Sequence, residues 1–211
     1  MSYTQNNEEA LILNHFSNRN PSDLTVLDIG ANDGKTFSNS LKVIELGWYG
    51  LLVEPSPKAF NMLTELHGFK NNVMCFPIAI TNQNGMFQLQ ESSSILNQGD
   101  TSLVSSLKQE ETLKWSNNNV RFNTVNVMGM DFKSFQATAP RKQFNLISID
   151  VEGYDYEVLS QIDLGSVGCE MLIVEFNGKD EALFTDYANK FEMKLISKNP
   201  ENLIFLTYSR P

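Results

Sequence analysis

Residues Val26-Leu27-Asp28-Ile29-Gly30-Ala31-Asn32-Asp33-Gly34 restrict the fold more than any other part of this chain. The apolar run from Leu24 to Ile29 reads as a buried strand, and the glycines behind it read as a turn. Phe37, Leu41 and Ile44 then recur at helical spacing, and Gly47 is placed to stop the helix they predict. A strand, a glycine turn and a helix in that order bring backbone amides and a helix N-terminus to the strand's carboxyl end. In an open parallel sheet, ligands bind along that edge.

The spacing narrows the ligand. A dinucleotide turn reads Gly-x-Gly-x-x-Gly, its second glycine letting the main chain touch a pyrophosphate. Here Asn32 stands in that middle position between Gly30 and Gly34. Gly34-Lys35-Thr36 imitates the end of a phosphate-binding Walker loop, but Ile29 occupies the place of its first glycine. An acid at the strand end, Asp28, suits a ligand with a positive centre, and S-adenosylmethionine has both an ammonium and a sulfonium. The two glycines are then needed for the turn to approach that ligand.

Gly50 to Val53 reads as a second strand, and Glu54 follows it 20 residues beyond Gly34. That is the offset at which a strand-end acid meets a ribose diol, and a carboxylate accepts from both hydroxyls at once. Ser56 is set to cap the next helix, with Pro57 at its first position. Two later runs repeat the pattern. Asn145 to Ile149 ends in Asp150, followed by Glu152 and Gly153, and Glu170 to Val174 ends in Glu175 and Asn177. Asp155 and Glu157 open a helix whose inner face is Val158, Leu159 and Ile162. Ordinary capping explains each acid singly but not the recurrence. In a parallel sheet the four acids line one edge.

In order and spacing, Asp28-Ile29-Gly30-Ala31-Asn32-Asp33-Gly34, Val53-Glu54-Pro55-Ser56-Pro57 and Ile149-Asp150-Val151-Glu152-Gly153-Tyr154 resemble the FkbM-type methyltransferases. Thr101-Ser102-Leu103 is similar to that family's small-residue segment before its fourth strand. The resemblance spans about residues 24 to 177. It implies a class I, Rossmann-like three-layer α/β fold, with a mostly parallel seven-stranded sheet and a C-terminal antiparallel hairpin. It also implies S-adenosylmethionine as cofactor and methyl transfer to a hydroxyl oxygen, on a sugar or another small-molecule acceptor. The candidate cofactor-binding residues are Asp28, Gly30, Asn32, Gly34, Glu54, Pro55 and Ala79, and the candidate catalytic residues are Asp150 and Glu152. Family members often carry a histidine two residues after the acid of the fifth strand, where this chain has Asn177.

An alcohol gives up its proton in such a transfer, so a base or a Lewis acid is required. Asp150 and Glu152 are the candidate bases, whereas His15 and His67 fall on a leading helix and a helix–loop junction. Asp150, Glu175 and Asn177 form an oxygen-only set of the kind that suits Mg²⁺, an alternative to a carboxylate base; no residue is assigned as a metal ligand.

With 211 residues the chain suits one α/β domain: an N-terminal helix and linker (1–23), a cofactor-binding core (24–177) and a closing helix and hairpin (178–211). Val73 to Ile80 is expected as the third strand, Met86 to Gln90 and Phe122 to Val127 as further strands, and Asp131 as the cap of a short helix. Residues 91–119, rich in serine and asparagine, predict a substrate-covering insertion with a helical turn near Leu107 to Trp115. Lys179 to Phe191 predicts a helix, with Leu183, Phe184, Tyr187 and Phe191 at helical spacing, and Glu8 to Phe16 one at the first strand's edge. Met193 to Ser197 and Leu203 to Thr207 flank a short turn and predict a hairpin, where a dinucleotide fold would close with another helical crossover.

A net charge of −9 without a basic stripe argues against nucleic acid or an anionic membrane as partner. Cys75 and Cys169 lie in apolar strand-like runs and suit buried thiols in a reducing, cytoplasmic setting. The polar first residues resemble no signal or transit peptide, and no apolar run reaches ~18 residues. Two other functions stay open on the residues alone: a nicotinamide-dependent oxidoreductase on a related sheet, and a non-catalytic binding module.

Overall fold

Alternation along the apolar runs sorts their side chains onto two faces of one sheet, each covered by helices. The computed structural model describes residues 2–93, 102–115, 120–178 and 180–207. The first half contains α1 (Glu8–His15), β1 (Thr25–Ile29), α2 (Leu41–Glu45), β2 (Tyr49–Val53), α3 (Pro57–His67), β3 (Val73–Phe76), β4 (Ile78–Ile80) and β5 (Gly85–Ser92). The second contains α4 (Gln109–Lys114), β6 (Phe122–Met130), α5 (Phe132–Thr138), β7 (Leu146–Ile149), α6 (Asp155–Leu159), β8 (Met171–Glu175), α7 (Glu181–Asn189), β9 (Met193–Lys198) and β10 (Asn202–Thr207).

The large sheet has seven strands in the order β3-β2-β1-β7-β8-β10-β9. Its pairs from β3 to β8 are parallel, and β10 runs antiparallel to both β8 and β9. This is the mostly parallel α/β sheet with a terminal hairpin that the sequence predicts. Val26, Leu52, Leu146 and Ile173 point to one layer, where they meet Ile12 and Phe16 of the leading helix, Val43 and Ile44 of α2, and Leu63 of α3. Leu27, Ile29, Val53, Ile147, Leu172 and Val174 point the other way, onto Phe135 of α5, Leu159 of α6 and Phe184 of α7. No helix among the described residues is long and apolar enough to cross a membrane.

The local expectations hold where side chains fix the backbone. Ser56 accepts from the Ala59 amide with Pro57 in the first helical position, and Asp131 accepts from the Ser134 amide at the start of α5. Three expectations are corrected. The run Val73 to Ile80 divides at Pro77, which has no N–H for a ladder; β3 stays in the large sheet, and β4 joins a separate three-stranded sheet, β4-β6-β5. The helix expected from Phe37 begins only at Leu41. Phe37 has φ +56°, which a helix does not admit, and the Asp33 carboxylate instead accepts from the Lys35 and Thr36 amides at 2.9 and 2.7 Å, closing a turn. The leading helix lies over a face of the sheet, against Leu24, Val26 and Ile204, not at the edge of β1. The start of the last helix expected at Lys179 lies outside the described residues; α7 begins at Glu181.

Candidate functional site

Because β1, β2, β7 and β8 are parallel, their carboxyl ends meet along one edge, and a cavity of about 350 Å³ opens there. Its floor is the turn after β1. Gly30 has φ +89° and its amide, with that of Ala31, donates to Val53 O at 2.9 and 3.0 Å. A Cβ on Gly30 would stand 1.7 Å from the Asp150 carbonyl oxygen, so main chain from β1 and from the exit of β7 touch at this residue. Asp28, in register with Ser148, is buried and its Oδ2 accepts from Ser40 Oγ at 2.5 Å. Gly34 lies away from the cavity. A Cβ there would meet Leu63 and His67 of α3, and its carbonyl is hydrogen-bonded to His67 Nε2 at 3.2 Å. His67 stands at the end of α3, the helix–loop junction expected for it, but is fully buried beneath the turn.

One end of the cavity sets a carboxylate beside an apolar wall. Glu54 Oε2 accepts from the Asn32 amide at 2.9 Å and Oε1 from the Ser56 amide at 2.7 Å. Each oxygen has a second lone pair, so the carboxylate keeps two acceptor positions after holding the main chain. Pro55, Ile78, Ala79, Ile80 and Leu89 continue the wall from here, which makes the small second sheet one side of the cavity.

The other end is acidic. Asp150 follows β7 with its surface open to the cavity, and Glu152, Glu175, Asn177 and Glu201 line the same side. Carboxylate oxygens of Asp150, Asp155 and Glu175 lie within 4.8 Å of one another. Asp155 is held by the Val151 and Gly153 amides, each donating at 2.9 Å. The described part of the expected covering insertion runs over this end: Ser102, Leu103, Val104, Ser105, Leu107 and Trp115 line the cavity. Ser106 Oγ donates to Glu152 O at 2.7 Å, and Lys108 pairs with Glu157 at 2.7 Å, which ties the segment to the loop after β7 and to α6. Thr101 and residues 94–100 and 116–119 lie outside the described residues.

Backbone strain marks the same place. Of the seven described non-glycine residues with positive φ, five (Asn32, Phe37, Ser102, Glu152 and Asn177) line the cavity. Left-handed conformations persist at such residues only where surrounding structure imposes them, and they gather at functional sites.

Burial pushes the Asp28 carboxyl up to about 6 against the opposing hydrogen bonds of Ser40 and Ser148. Burial pushes Glu54 up to about 7, despite the amides of Ser56 and Asn32. Asp150 rises to about 7 through burial and then through repulsion from Asp155. Water reaches Asp150 through the cavity, so the crowding of carboxylates is the lasting cause of its rise. Glu175 rises for the same two reasons, burial and then Asp150.

The sign for stability follows from Glu54, which is 6% exposed. A raised carboxyl contributes stability that is complete below its unfolded value, 4.5, and lost as pH climbs through about 7. Melting temperatures of the ligand-free protein should therefore fall across that window. Glu54→Gln should flatten the fall, by up to about 3 kcal/mol. An unchanged slope in the variant would contradict the assignment.

Ser148 and Asp155 are the site residues that the sequence reading passed over. A lone serine between Ile147 and Ile149 was a signal, because a polar group inside a buried strand needs a partner. Asp155 has the sequence signature of a helix-start acid, and nothing local places it beside Asp150 and Glu175. Trp115, Gln5 and Glu201 reach the cavity by tertiary placement alone.

Residues 28–196 match the family model described as the methyltransferase FkbM domain. Comparison with curated proteins finds no match. Among solved structures, the METTL16 MTase domain aligns with TM-score 0.52 and 11% identity, over 96% of this chain and 67% of that one. The putative methyltransferase yhhF from Escherichia coli aligns with TM-score 0.48 and 11% identity, over 100% and 90%. Monomeric WbdD aligns with TM-score 0.49 and 12% identity over 96% of this chain, which spans only 41% of that protein. At 11% identity the likeness to the METTL16 MTase domain is one of fold.

Proposed function

Because the chain belongs to the methyltransferase FkbM domain family, we propose that its cavity binds S-adenosylmethionine and methylates a hydroxyl oxygen of a small-molecule acceptor, such as a sugar. The observation that carries this reading is the division of one cavity between Glu54, with two acceptor positions to spare, and Asp150, an acid open to the interior. When bound, S-adenosylmethionine supplies an electrophilic methyl: the acceptor oxygen forms a C–O bond as the C–S bond breaks, and the electron pair of that bond stays on sulfur.

The residues around it divide the remaining work. Glu54 receives the ribose hydroxyls, and Ile78, Ala79, Ile80 and Leu89 offer an apolar slot for the adenine. Asp28 and the turn at Gly30 and Ala31 face the charged amino-acid portion. Asp150 takes the hydroxyl proton on its carboxylate; a raised value near neutrality suits a base that is free to accept. Glu152, on the strained loop beside it, orients the acceptor, and the segment 102–115 excludes water from the transfer.

Thermal shift tests the reading first: S-adenosylhomocysteine should stabilise the protein and NAD⁺ should not, the reverse result overturning it. Glu54→Ala should then weaken S-adenosylhomocysteine binding by ~1.5–3 kcal/mol, the range for hydrogen bonds to a charged group. Calorimetry on a variant that melts cooperatively measures this. An unchanged affinity would move the ribose contact elsewhere.

A further inference from the structure

The charge of the cavity wall restricts what can be methylated there. Asp28, Glu54, Asp150, Glu152, Glu175 and Glu201 line it, and among the described residues no lysine, arginine or histidine does. S-adenosylmethionine brings one net positive charge, from its ammonium and sulfonium against its carboxylate. Asp28, near the end of β1, and Glu54, just after β2, stand on the side given above to that cofactor. The other four acids stand on the β7–β8 side, since Glu201 O accepts from the Phe176 amide at 2.8 Å and so adjoins Glu175.

A second observation comes from Glu175 itself. It is 6% exposed, its Oε2 is buried without a hydrogen-bond partner, and its carboxylate sits in the group with Asp150 and Asp155. A buried acceptor that lacks a donor, next to two further acids, lacks the group that would satisfy it. We propose that this group is a protonated amine of the acceptor, so that the substrate is an amino alcohol, such as an amino sugar, whose ammonium rests on Glu175 while a neighbouring hydroxyl faces Asp150. The inference rests on the methyl-transfer reading and adds the class of acceptor.

The rest of the wall suits an organic cation. Tyr154 and Trp115 line the same cavity, and aromatic faces attract ammonium groups. Tyr154 already holds Lys108 Nζ 5.4 Å from its ring centroid; Lys108 is paired with Glu157 and is absent from the cavity wall. A hydrated Mg²⁺ would gain little from the rings, whose faces favour a weakly hydrated organic cation. Phosphorylated and carboxylated acceptors would meet only like charge. Held as an ammonium, the amine has no free electron pair to take the methyl, which leaves the hydroxyl as the nucleophile.

The test uses the full chain loaded with S-adenosylhomocysteine and three probes on one ring: glucosamine, glucose and glucose 6-phosphate. Calorimetry or ligand-observed NMR at millimolar probe should find glucosamine bound about tenfold or more tightly than glucose, the worth of one charge-assisted hydrogen bond, with glucose 6-phosphate excluded. 2-Aminoethanol against ethylene glycol should give the same order. Glu175→Gln should abolish the preference without changing S-adenosylhomocysteine affinity; Glu201→Gln, at the cavity rim, serves if the first variant does not fold. Equal binding of the neutral probe, tighter binding of the phosphate, or no binding of either amine overturns the proposal. So does binding of Mg²⁺ or Mn²⁺ that is lost in Glu175→Gln, which would make the acids a metal site. Failure to bind S-adenosylhomocysteine at all would instead reject the underlying methyl-transfer reading.

Discussion

Asp150→Asn is expected to lower methyl-transfer turnover by about 100-fold or more, the usual contribution of a positioned base. Binding of S-adenosylhomocysteine should change little, because the diol and apolar contacts proposed for it fall to Glu54 and the β4 wall. The substitution keeps the shape of the side chain and removes its capacity to take a proton. It also relieves repulsion in the group formed with Asp155 and Glu175, so the variant should melt no lower than wild type. Turnover and melting therefore move apart, which a merely structural residue would not produce. Steady-state assays of Asp150→Asn and Glu152→Gln, with and without chelator, decide the matter. Near-wild-type rates in both variants would remove the acids from the chemistry and leave positioning alone.

Gly30→Ala should leave little folded protein, a loss of about 4 kcal/mol or more. The added Cβ would fall 1.7 Å from the Asp150 carbonyl oxygen, and neither strand end can retreat without breaking the Gly30–Val53 and Asp150–Ile29 amide contacts. Its φ of +89° adds strain for any side chain. Gly178 is the control: it also has positive φ, +69°, but its Cβ would meet nothing within 4 Å. Gly178→Ala should cost about 1–2 kcal/mol, the conformational penalty alone. Chemical denaturation of both variants checks the contrast. On sequence grounds Gly30 made room for a ligand; in the structure it makes room for the main chain leaving β7, and approach to the ligand follows from that.

The sequence could show the strands and their terminal acids because both are local. A buried parallel strand is a nearly continuous apolar run, and an acid marks its end, at Glu54, Asp150 and Glu175 and one residue earlier at Asp28. The hairpin was equally legible from two runs and a short turn. What stayed hidden depends on contacts between distant segments. Helical spacing of Phe37, Leu41 and Ile44 was real, yet the Asp33 turn took the residues before Leu41. The apolar run across Pro77 looked continuous because periodicity does not register a missing N–H. The meeting of Asp150, Asp155 and Glu175 needed the β7–β8 pairing and the loop between them, and no spacing along the chain encodes it.

The place of β10 has a consequence for how the molecule is made. It is the last of the described strands to leave the ribosome, yet it is wedged between β8 and β9 with Leu203, Ile204 and Phe205 fully covered. Until residues 202–207 emerge, β8 keeps an open edge on its far side and β9 has no neighbour in the sheet. Nascent chains halted before that point would display an apolar, unpaired margin, the kind of surface chaperones hold and aggregates grow from. Completion of the sheet, and with it the full pairing of the strand that carries Glu175, thus waits until residues 202–207 have been made.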